Sequence, residues 1–150
     1  MLTLLDDPAL IDWFSAAEVF RLAPLGTREP EKLRRAFLNS YASIFAFEDN
    51  RLLGLGRALC DGEYQAAIYD IVVLGECQRR GIGSAIMRNL LSRLPVDNVI
   101  LYAVPGKEAF YGTLGFRKMR TALARLGPAM AEPVQGYLVA EAGEVAGNAK

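Results

Sequence analysis

The sequence contains no histidine, and this absence limits the chemistry that the chain can perform. Without imidazole there is no Ser-His-Asp triad, no Cys-His pair and no HExxH zinc motif. A catalyst must therefore use a carboxylate, tyrosine, cysteine, lysine or main-chain groups. The two cysteines, Cys60 and Cys77, lack CxxC or other metal-ligand spacing, so we expect no metal. A chain of this size does not depend on disulfides, and a reducing cytoplasm is the expected compartment.

The sequence also lacks an excess of charge and a long apolar run. Its 17 basic and 17 acidic residues give a formal net charge of zero, which argues against nucleic acid or an anionic membrane as an electrostatic partner. No apolar run approaches the roughly 18 residues of a membrane span, and the first residues lack the basic region of a signal peptide. With 150 residues, 52% of them hydrophobic, we expect one domain over residues 1–140 and a disordered tail over 141–150.

The periodicity of the apolar residues predicts an α/β chain with a mixed sheet. The predicted elements are a strand at 2–5, a helix from the cap Asp12 to Leu22, a helix that starts at Pro30, paired strands at 43–47 and 52–59, a buried strand at 66–74, a helix after Gly81 that ends before Pro95, a strand at 99–104, a short helix at 108–114, a strand at 116–126 and an edge strand at 134–140. The strand at 66–74 is apolar apart from Tyr69 and Asp70, so we expect it to be the central strand.

The most informative segment joins this buried strand to the following helix. Its residues are Gln78, Arg79, Arg80, Gly81, Ile82, Gly83 and Ser84. A helix start offers unpaired amides and the positive end of the helix dipole, which together bind phosphate. Gly81 and Gly83 allow an anion to approach the main chain, and the two arginines add positive charge. The segment predicts a diphosphate site; the alternative is a tight turn with solvated arginines.

Two other phosphate-binding motifs do not fit the sequence. The Rossmann fingerprint requires a third glycine where Ile86 stands. Gly106-Lys107 is similar to the end of a P-loop, but Glu108 replaces the serine or threonine that would hold magnesium. A nucleotide-binding module is therefore disfavoured.

Two motifs, in the right order along the chain, resemble those of the GNAT superfamily of GCN5-related N-acetyltransferases, in particular a small, single-domain member of bacterial type. The acyl-CoA motif Q/R-x-x-G-x-G/A and the later motif Y-x-x-x-G-F are matched by Gln78, Gly81 and Gly83, and by Tyr111, Gly115 and Phe116, respectively. The resemblance implies an α/β fold in which a mixed sheet, flanked by helices, is splayed between its fourth and fifth strands.

The resemblance also implies a function, transfer of an acetyl group from acetyl-CoA to a primary amine of a small molecule or peptide, by direct attack in a ternary complex. It places the CoA diphosphate on the segment 78–84 and the pantetheine arm along the main chain of Ile71, Val72 and Val73. An amide of Val72 or Val73 would hydrogen-bond the thioester carbonyl. A homodimer is plausible for this family. The alternative is a sensor or structural module that binds acyl-CoA without turnover.

Tyr111 and Asp70 are the predicted catalytic residues. Tyr111 matches the family tyrosine that protonates the CoA sulfur, and its alternative role is an aromatic packed beside Phe110. Asp70 is the only carboxylate in the buried strand, and burial without a counter-charge would let it accept a proton as the base. Its alternative role is to hold a bulge or splay by hydrogen bonds to the main chain. Strand alternation predicts that only one of Tyr69 and Asp70 faces the acceptor.

Several further residues are weaker candidates. Glu63, Tyr102 and Glu108 lie near predicted strand ends, and Cys77 would support an acyl-cysteine route, although no histidine activates it. In the GNAT family the acceptor pocket is built largely from the N-terminal helices and their connection. That region supplies Trp13, Phe14, Phe20, Arg21, Arg28 and Phe37, of which we expect the aromatic residues to belong mainly to the core.

Overall fold

The computed structural model describes residues 1–140, so the tail expected to be disordered lies outside the described residues. The chain divides into two compact units, Met1–Leu101 and the part that begins at Tyr102. Each unit is described by itself. Among the described residues, none of the helices combines the length and apolar character needed to cross a membrane.

The first unit is a five-stranded sheet with three helices. Its elements are β1 Thr3–Leu5, α1 Trp13–Leu22, α2 Pro30–Leu38, β2 Ala42–Glu48, β3 Arg51–Cys60, β4 Gln65–Val73, α3 Ile82–Arg93 and β5 Asn98–Ile100. The strands follow the order β1-β2-β3-β4-β5, and all neighbours are antiparallel except β4 and β5. The predicted mixed α/β class is confirmed. The expectation that the strand at 66–74 is central is wrong, because β3 occupies the middle and β4 is fourth.

The helix starts follow from local capping chemistry. The carboxylate of Asp12 accepts a hydrogen bond from the amide of Phe14 at 3.1 Å, so it caps α1 as predicted. Pro30 is the first residue of α2, where its missing N–H costs nothing. These short-range interactions explain why both boundaries could be read from the sequence.

The core lies on both faces of the sheet. On one face, the Trp13 ring packs 5.4 Å from the ring of Phe37 and 5.9 Å from that of Phe45. On the other face, α3 packs closely against two glycines of β3. A Cβ at Gly54 would lie 2.8 Å from the carbonyl oxygen of Val72. Main-chain atoms cannot easily yield, so this contact requires glycine.

A bulge interrupts β4 at Asp70. Leu55 pairs with Val72 and Arg57 pairs with Tyr69, so two residues of β4, Asp70 and Ile71, lie opposite a single residue of β3. Asp70 has a φ of 57°, in the left-handed region. An inserted residue of this kind changes which side chains share a face of the sheet.

The pairing of β4 with β5 is short. It runs from Gln65 opposite Asn98 to Ala67 opposite Ile100 and then stops. Residues 68–73 of β4 therefore have no strand on their β5 side in the described part of the chain, which is the expected splay. The predicted strand at 99–104 is correspondingly too long, because apolar residues with strand propensity form a strand only where a partner is hydrogen-bonded.

The second unit contains α4 Glu108–Gly112 and α5 Pro128–Ala131. The strands predicted at 116–126 and 134–140 are wrong, since no strand is present at either place within residues 102–140. The first range is almost entirely exposed and offers no apolar face to a sheet. In the second, Pro133 starts a 3₁₀ turn and Gly136 has a left-handed φ of 74°, both of which oppose extended structure.

Candidate functional site

At the start of the segment between β4 and α3, Gln78 forms two hydrogen bonds to the preceding main chain. Its main-chain amide donates to the carbonyl of Gly75 at 3.3 Å, and its side-chain amide donates to the carbonyl of Val73 at 3.2 Å. The expectation that the main-chain amide of Gln78 is free for an anion therefore does not hold. Gln78 instead ties the start of the segment to the end of β4.

The following amides, over residues 79–84, have no hydrogen-bond acceptor within the described residues. The next amide along the chain, that of Ala85, donates to the carbonyl of Gly81 at 3.0 Å. Arg79 and Gly81 have left-handed φ values of 62° and 80°. A Cβ built at Gly81 would meet no atom within 4 Å, so the space beside these donors is open. The geometry forms a cradle for an anion, and we define residues 79–84 as the amide cradle.

The two arginines of the amide cradle differ in their partners. The guanidinium of Arg80 forms an ion pair with Glu48 at 2.7 Å and holds the pKa of that partly exposed carboxyl below its usual range. Arg79 forms no ion pair or hydrogen bond with residues 1–140. Arg79 therefore presents a whole positive charge to solvent, whereas the charge of Arg80 is partly balanced.

The splayed stretch of β4 presents main-chain groups beside the cradle. The amide of Leu74 donates to the carbonyl of Leu53 at 2.8 Å, and Val72 lies opposite Leu55, so Val72 belongs to the ladder with β3. Alternation along the ladder then directs the amide of Val73 to the opposite, open side. Ile71 lies in the bulge and pairs with no residue of β3. Of the three residues predicted to contact pantetheine, Ile71 and Val73 thus have the suitable placement.

Asp70 is not an isolated carboxylate. Its Oδ2 accepts a hydrogen bond from Nε of Arg57 at 2.6 Å, and its Oδ1 lies 3.5 Å from Nη2 of Arg28. The side chains of Asp70 and Arg57 are each 17% exposed. The expectation of burial without a counter-charge is wrong, because both partners come from other parts of the chain. We call Arg28, Arg57 and Asp70 the arginine–aspartate cluster.

Two aromatic rings hold the guanidinium of Arg57. It lies 5.4 Å from the ring centroid of Tyr69 and 5.9 Å from that of Phe37. Tyr69 and Asp70 both contact this one guanidinium, so they point to the same side of the sheet. The prediction that only one of them can do so is wrong, because the bulge at Asp70 interrupts the alternation.

Tyr111 lies in α4, in the second unit, within an aromatic group. Its ring packs 4.9 Å from that of Phe110 and 6.1 Å from that of Phe116. Gly115 adopts a φ of 90°, and this turn lets the amide of Phe116 donate to the carbonyl of Tyr111 at 3.2 Å. Burial raises the pKa of the Tyr111 phenol above its ordinary value of 10.0.

The weaker candidates have ordinary surroundings. The thiol of Cys77 is buried, the carboxylate of Glu108 accepts the amide of Gly106 at 2.9 Å, and Glu63 is exposed. The ring of Tyr102 packs 5.9 Å from that of Tyr137.

The aromatic residues of the N-terminal helices divide as expected. Trp13, Phe20 and Phe37 are buried in the core, whereas Phe14 is exposed. Arg21 forms an ion pair with Glu18 on α1. Arg28 belongs to the arginine–aspartate cluster, and the rings of Phe20 and Phe37 pack against the guanidinium groups of Arg28 and Arg57, respectively.

The sequence reasoning missed Arg57 and Glu48. Arg57 is the only charged residue in the otherwise apolar stretch 52–60, so its position did carry a usable pattern. Counting the register back from the turn of the next hairpin would have placed it opposite Tyr69, the neighbour of Asp70, and the bulge then brings the two side chains to one face. Glu48 gave no such pattern, because its contact with Arg80 joins residues 32 apart in the chain.

Comparison with known proteins identifies the family of this chain and several relatives. The Acetyltransferase (GNAT) domain family matches residues 17–129. The chain is similar to serotonin N-acetyltransferase 2, chloroplastic, of Oryza sativa subsp. japonica, with 36% identity over an alignment of 108 residues that covers 66% of this chain and 53% of that protein. It is also 33% identical over 103 residues to GCN5-related N-acetyltransferase 1, chloroplastic, of Arabidopsis thaliana, covering 65% of this chain and 52% of the relative. The chain spans about half the length of these curated relatives.

Solved structures share the fold. A GNAT-family acetyltransferase from Streptococcus pneumoniae superposes with a TM-score of 0.73 at 23% identity, covering 85% of this chain and 99% of that one. Glucosamine-6-phosphate N-acetyltransferase from Arabidopsis thaliana gives a TM-score of 0.64 at 13% identity, covering 84% of this chain and 98% of that one. At these identities the likeness extends to the fold.

Proposed function

Because this chain belongs to the GNAT acetyltransferase family, we propose that it is an acetyl-CoA-dependent N-acetyltransferase. The acceptor is a primary amine of a small molecule or peptide, which attacks the acetyl group directly while both substrates are bound. The observation that carries this proposal is the amide cradle. Its donors lie at the start of a helix and have no acceptor of their own within residues 1–140.

The cradle fits the diphosphate of CoA. The amides of residues 79–84 would donate to the phosphate oxygens, and the helix dipole of α3 favours negative charge at the same place. The left-handed φ of Gly81 and the open space beside it leave room for the anion. The chain as a whole has no net charge, but Arg79, which has no partner among residues 1–140, supplies a local positive charge beside the phosphates.

The splayed part of β4 fits the pantetheine arm and the thioester. When bound, acetyl-CoA supplies an acetyl group activated by its sulfur. The amide of Val73 points to the open side of β4 and would hold the thioester carbonyl, where a fixed donor contributes roughly 2.7–4 kcal/mol. Val72, the other residue considered for this role, directs its amide into the ladder with β3.

Tyr111 is proposed as the general acid. A phenol retains its proton at neutral pH and can give it to the departing sulfur. The rings of Phe110 and Phe116 pack against the ring of Tyr111 and restrict its orientation. Packing beside Phe110, the alternative role considered for Tyr111, is therefore compatible with a catalytic role.

Asp70 is proposed to orient the acceptor amine and receive its proton. Arg57 fixes the carboxylate through a short hydrogen bond, and the long contact with Arg28 is easily exchanged for an incoming amine. The alternative role, in which the carboxylate holds the bulge by hydrogen bonds to the main chain, has less support, because within residues 1–140 the carboxylate of Asp70 bonds to Arg57 and Arg28.

The direct test follows the release of free thiol from acetyl-CoA with a panel of amines, polyamines, amino acids, aminosugars and peptides. We expect release with one class of acceptor, together with thermal stabilisation of the protein by acetyl-CoA. Stabilisation without any thiol release would favour the acyl-CoA sensor. Absence of stabilisation at saturating acetyl-CoA would contradict both functions.

A further inference from the structure

The arginine–aspartate cluster has more hydrogen-bond donors than acceptors. A guanidinium carries five N–H donors. Arg57 uses Nε toward Asp70 and Nη1 toward the hydroxyl of Ser40 at 3.5 Å, and Arg28 uses only Nη2 toward Asp70. The two oxygens of Asp70 thus face two positive groups, and the cluster retains one positive charge in excess.

The unused donors are open to a ligand. Within residues 1–140, no residue that is at least partly buried has a fully buried side-chain nitrogen or oxygen without a hydrogen-bond partner, so the unused N–H groups of Arg57 are not fully buried. The guanidinium of Arg28 is 41% exposed and lies 4.8 Å above the ring centroid of Phe20. Arg57 is fixed between aromatic rings. A donor that is already held in place loses little entropy when it binds an anion.

The cluster lies next to the place proposed for the reacting groups. Asp70 is followed directly by Ile71, and Val73 presents its amide on the open side of the same strand. Arg28 belongs to the connection between α1 and α2, so it reaches this strand from outside the sheet. An acceptor amine held at Asp70 would therefore have both guanidinium groups beside it.

We propose that the acceptor carries a carboxylate or phosphate close to its amine, and that Arg28 and Arg57 bind this anionic group. The inference rests on the proposed acetyltransferase function. An acceptor of this kind completes the cluster, because its amine faces Asp70 while its anion takes the unused guanidinium donors. An acceptor with a second positive charge, such as a polyamine, would meet the excess positive charge of the cluster and be disfavoured.

Paired acceptors that differ in the anionic group test this proposal. Suitable pairs are alanine with alaninamide and glucosamine 6-phosphate with glucosamine, assayed with the native protein, Arg28→Gln, Arg28→Lys and the exposed control Arg21→Gln. We expect the native protein to prefer the anionic member of one pair, which also tells carboxylate from phosphate. Arg28→Gln should raise KM for that member roughly 10- to 100-fold more than it raises KM for the neutral member. Arg28→Lys should recover part of the loss, and Arg21→Gln should behave as the native protein.

Two results would overturn the proposal. One is a native protein that prefers the neutral member of both pairs. The other is an Arg28→Gln variant that raises KM equally for the anionic and neutral members, because that would mark a positioning role for Arg28. If no acceptor is turned over, the proposed function fails, but calorimetric titration with the same pairs still measures how tightly each member binds to the arginine–aspartate cluster. Tighter binding of the anionic member that is lost in Arg28→Gln would sustain the anion site, and equal binding of both members would refute it.

Discussion

The amide cradle and the arginine–aspartate cluster both present positive groups, but they are built in different ways. The cradle consists of consecutive main-chain amides at the start of α3, and its donors are fixed by backbone geometry. The cluster consists of side chains from the α1–α2 connection, β3 and β4; Arg57 is fixed by Asp70 and two aromatic rings, whereas Arg28 makes one long contact with Asp70. The first arrangement suits a ligand part that never varies, the diphosphate of CoA. The second suits an acceptor, which differs from enzyme to enzyme.

The largest effect is expected from a substitution that disrupts the amide cradle alone. Gly81→Asp places a carboxylate beside the phosphates and should weaken acetyl-CoA binding by roughly 100- to 1000-fold, as like charges about 4 Å apart repel strongly near a protein surface. Acetyl-CoA should then no longer raise the melting temperature. Binding is measured by calorimetry and by thermal shift.

Gly62→Asp is the matched control for this variant. Gly62 has a φ of 82°, against 80° for Gly81, and neither position has an atom within 4 Å of a built Cβ. Both variants carry the same backbone strain and the same new charge, so both should lose similar intrinsic stability. Loss of acetyl-CoA binding in Gly62→Asp as well would show that strain, and not the cradle, explains the result.

Tyr111→Phe should impair the chemical step without affecting ligand binding at the amide cradle or at the arginine–aspartate cluster. Removal of the general acid should lower kcat by roughly 100-fold or more. The affinity for acetyl-CoA and the KM for the acceptor should stay nearly unchanged, and Tyr64→Phe, at an exposed tyrosine of the β3–β4 hairpin, should leave kcat unchanged. Turnover by Tyr111→Phe equal to that of the native protein would remove Tyr111 from the mechanism.

The raised pKa of Tyr111 also predicts a dependence of stability on pH. The folded protein holds this proton more tightly than the unfolded chain, so the stabilisation is complete below the ordinary value of 10.0 and is lost as the pH rises through the folded value. Chemical denaturation between pH 9 and pH 11 should show a smaller decline for Tyr111→Phe. An equal decline in both proteins would contradict the burial of this phenol.

Asp70→Asn should damage the cluster and leave the cradle intact. It removes the counter-charge of Arg57 in a mostly buried place, and the free energy of unfolding should fall by about 1–3 kcal/mol. We expect the thermal shift with acetyl-CoA to persist while turnover falls. Glu18→Gln breaks an exposed ion pair with Arg21 and should have little effect on stability. If Asp70→Asn lost acetyl-CoA binding, the two regions would not be independent.

The same contrast explains how far the sequence could be read. The caps at Asp12 and Pro30, the hairpin of β2 and β3, and the loop with Gly81 depend on residues close together in the chain, and all of them were predicted. The contacts of Asp70 join residues 13 and 42 apart, and burial of Asp70 alone gave no hint of its partners. The strands predicted at 116–126 and 134–140 failed for the same reason, since strand propensity does not specify a partner.

The smallest effect distinguishes the two arginines of the cradle. Arg79→Gln should weaken acetyl-CoA binding by roughly 3- to 10-fold, and Arg80→Gln by less, because Glu48 already balances Arg80. Glu48→Gln should free Arg80 and tighten binding slightly at low salt, and the difference should shrink as salt screens the exposed charges. Equal losses in the two arginine variants would show that the Glu48 pair does not persist when the ligand is bound.

One NMR titration tests the central claim most directly. In amide spectra of the labelled protein, addition of CoA should move the resonances of residues 79–84 most strongly, with Gln78 and the amides of the Gly62 turn changing far less. The Gly81→Asp variant should show no such change at the same concentration. Saturation by CoA with the amides of residues 79–84 unmoved would contradict the account, because the diphosphate would then be bound elsewhere.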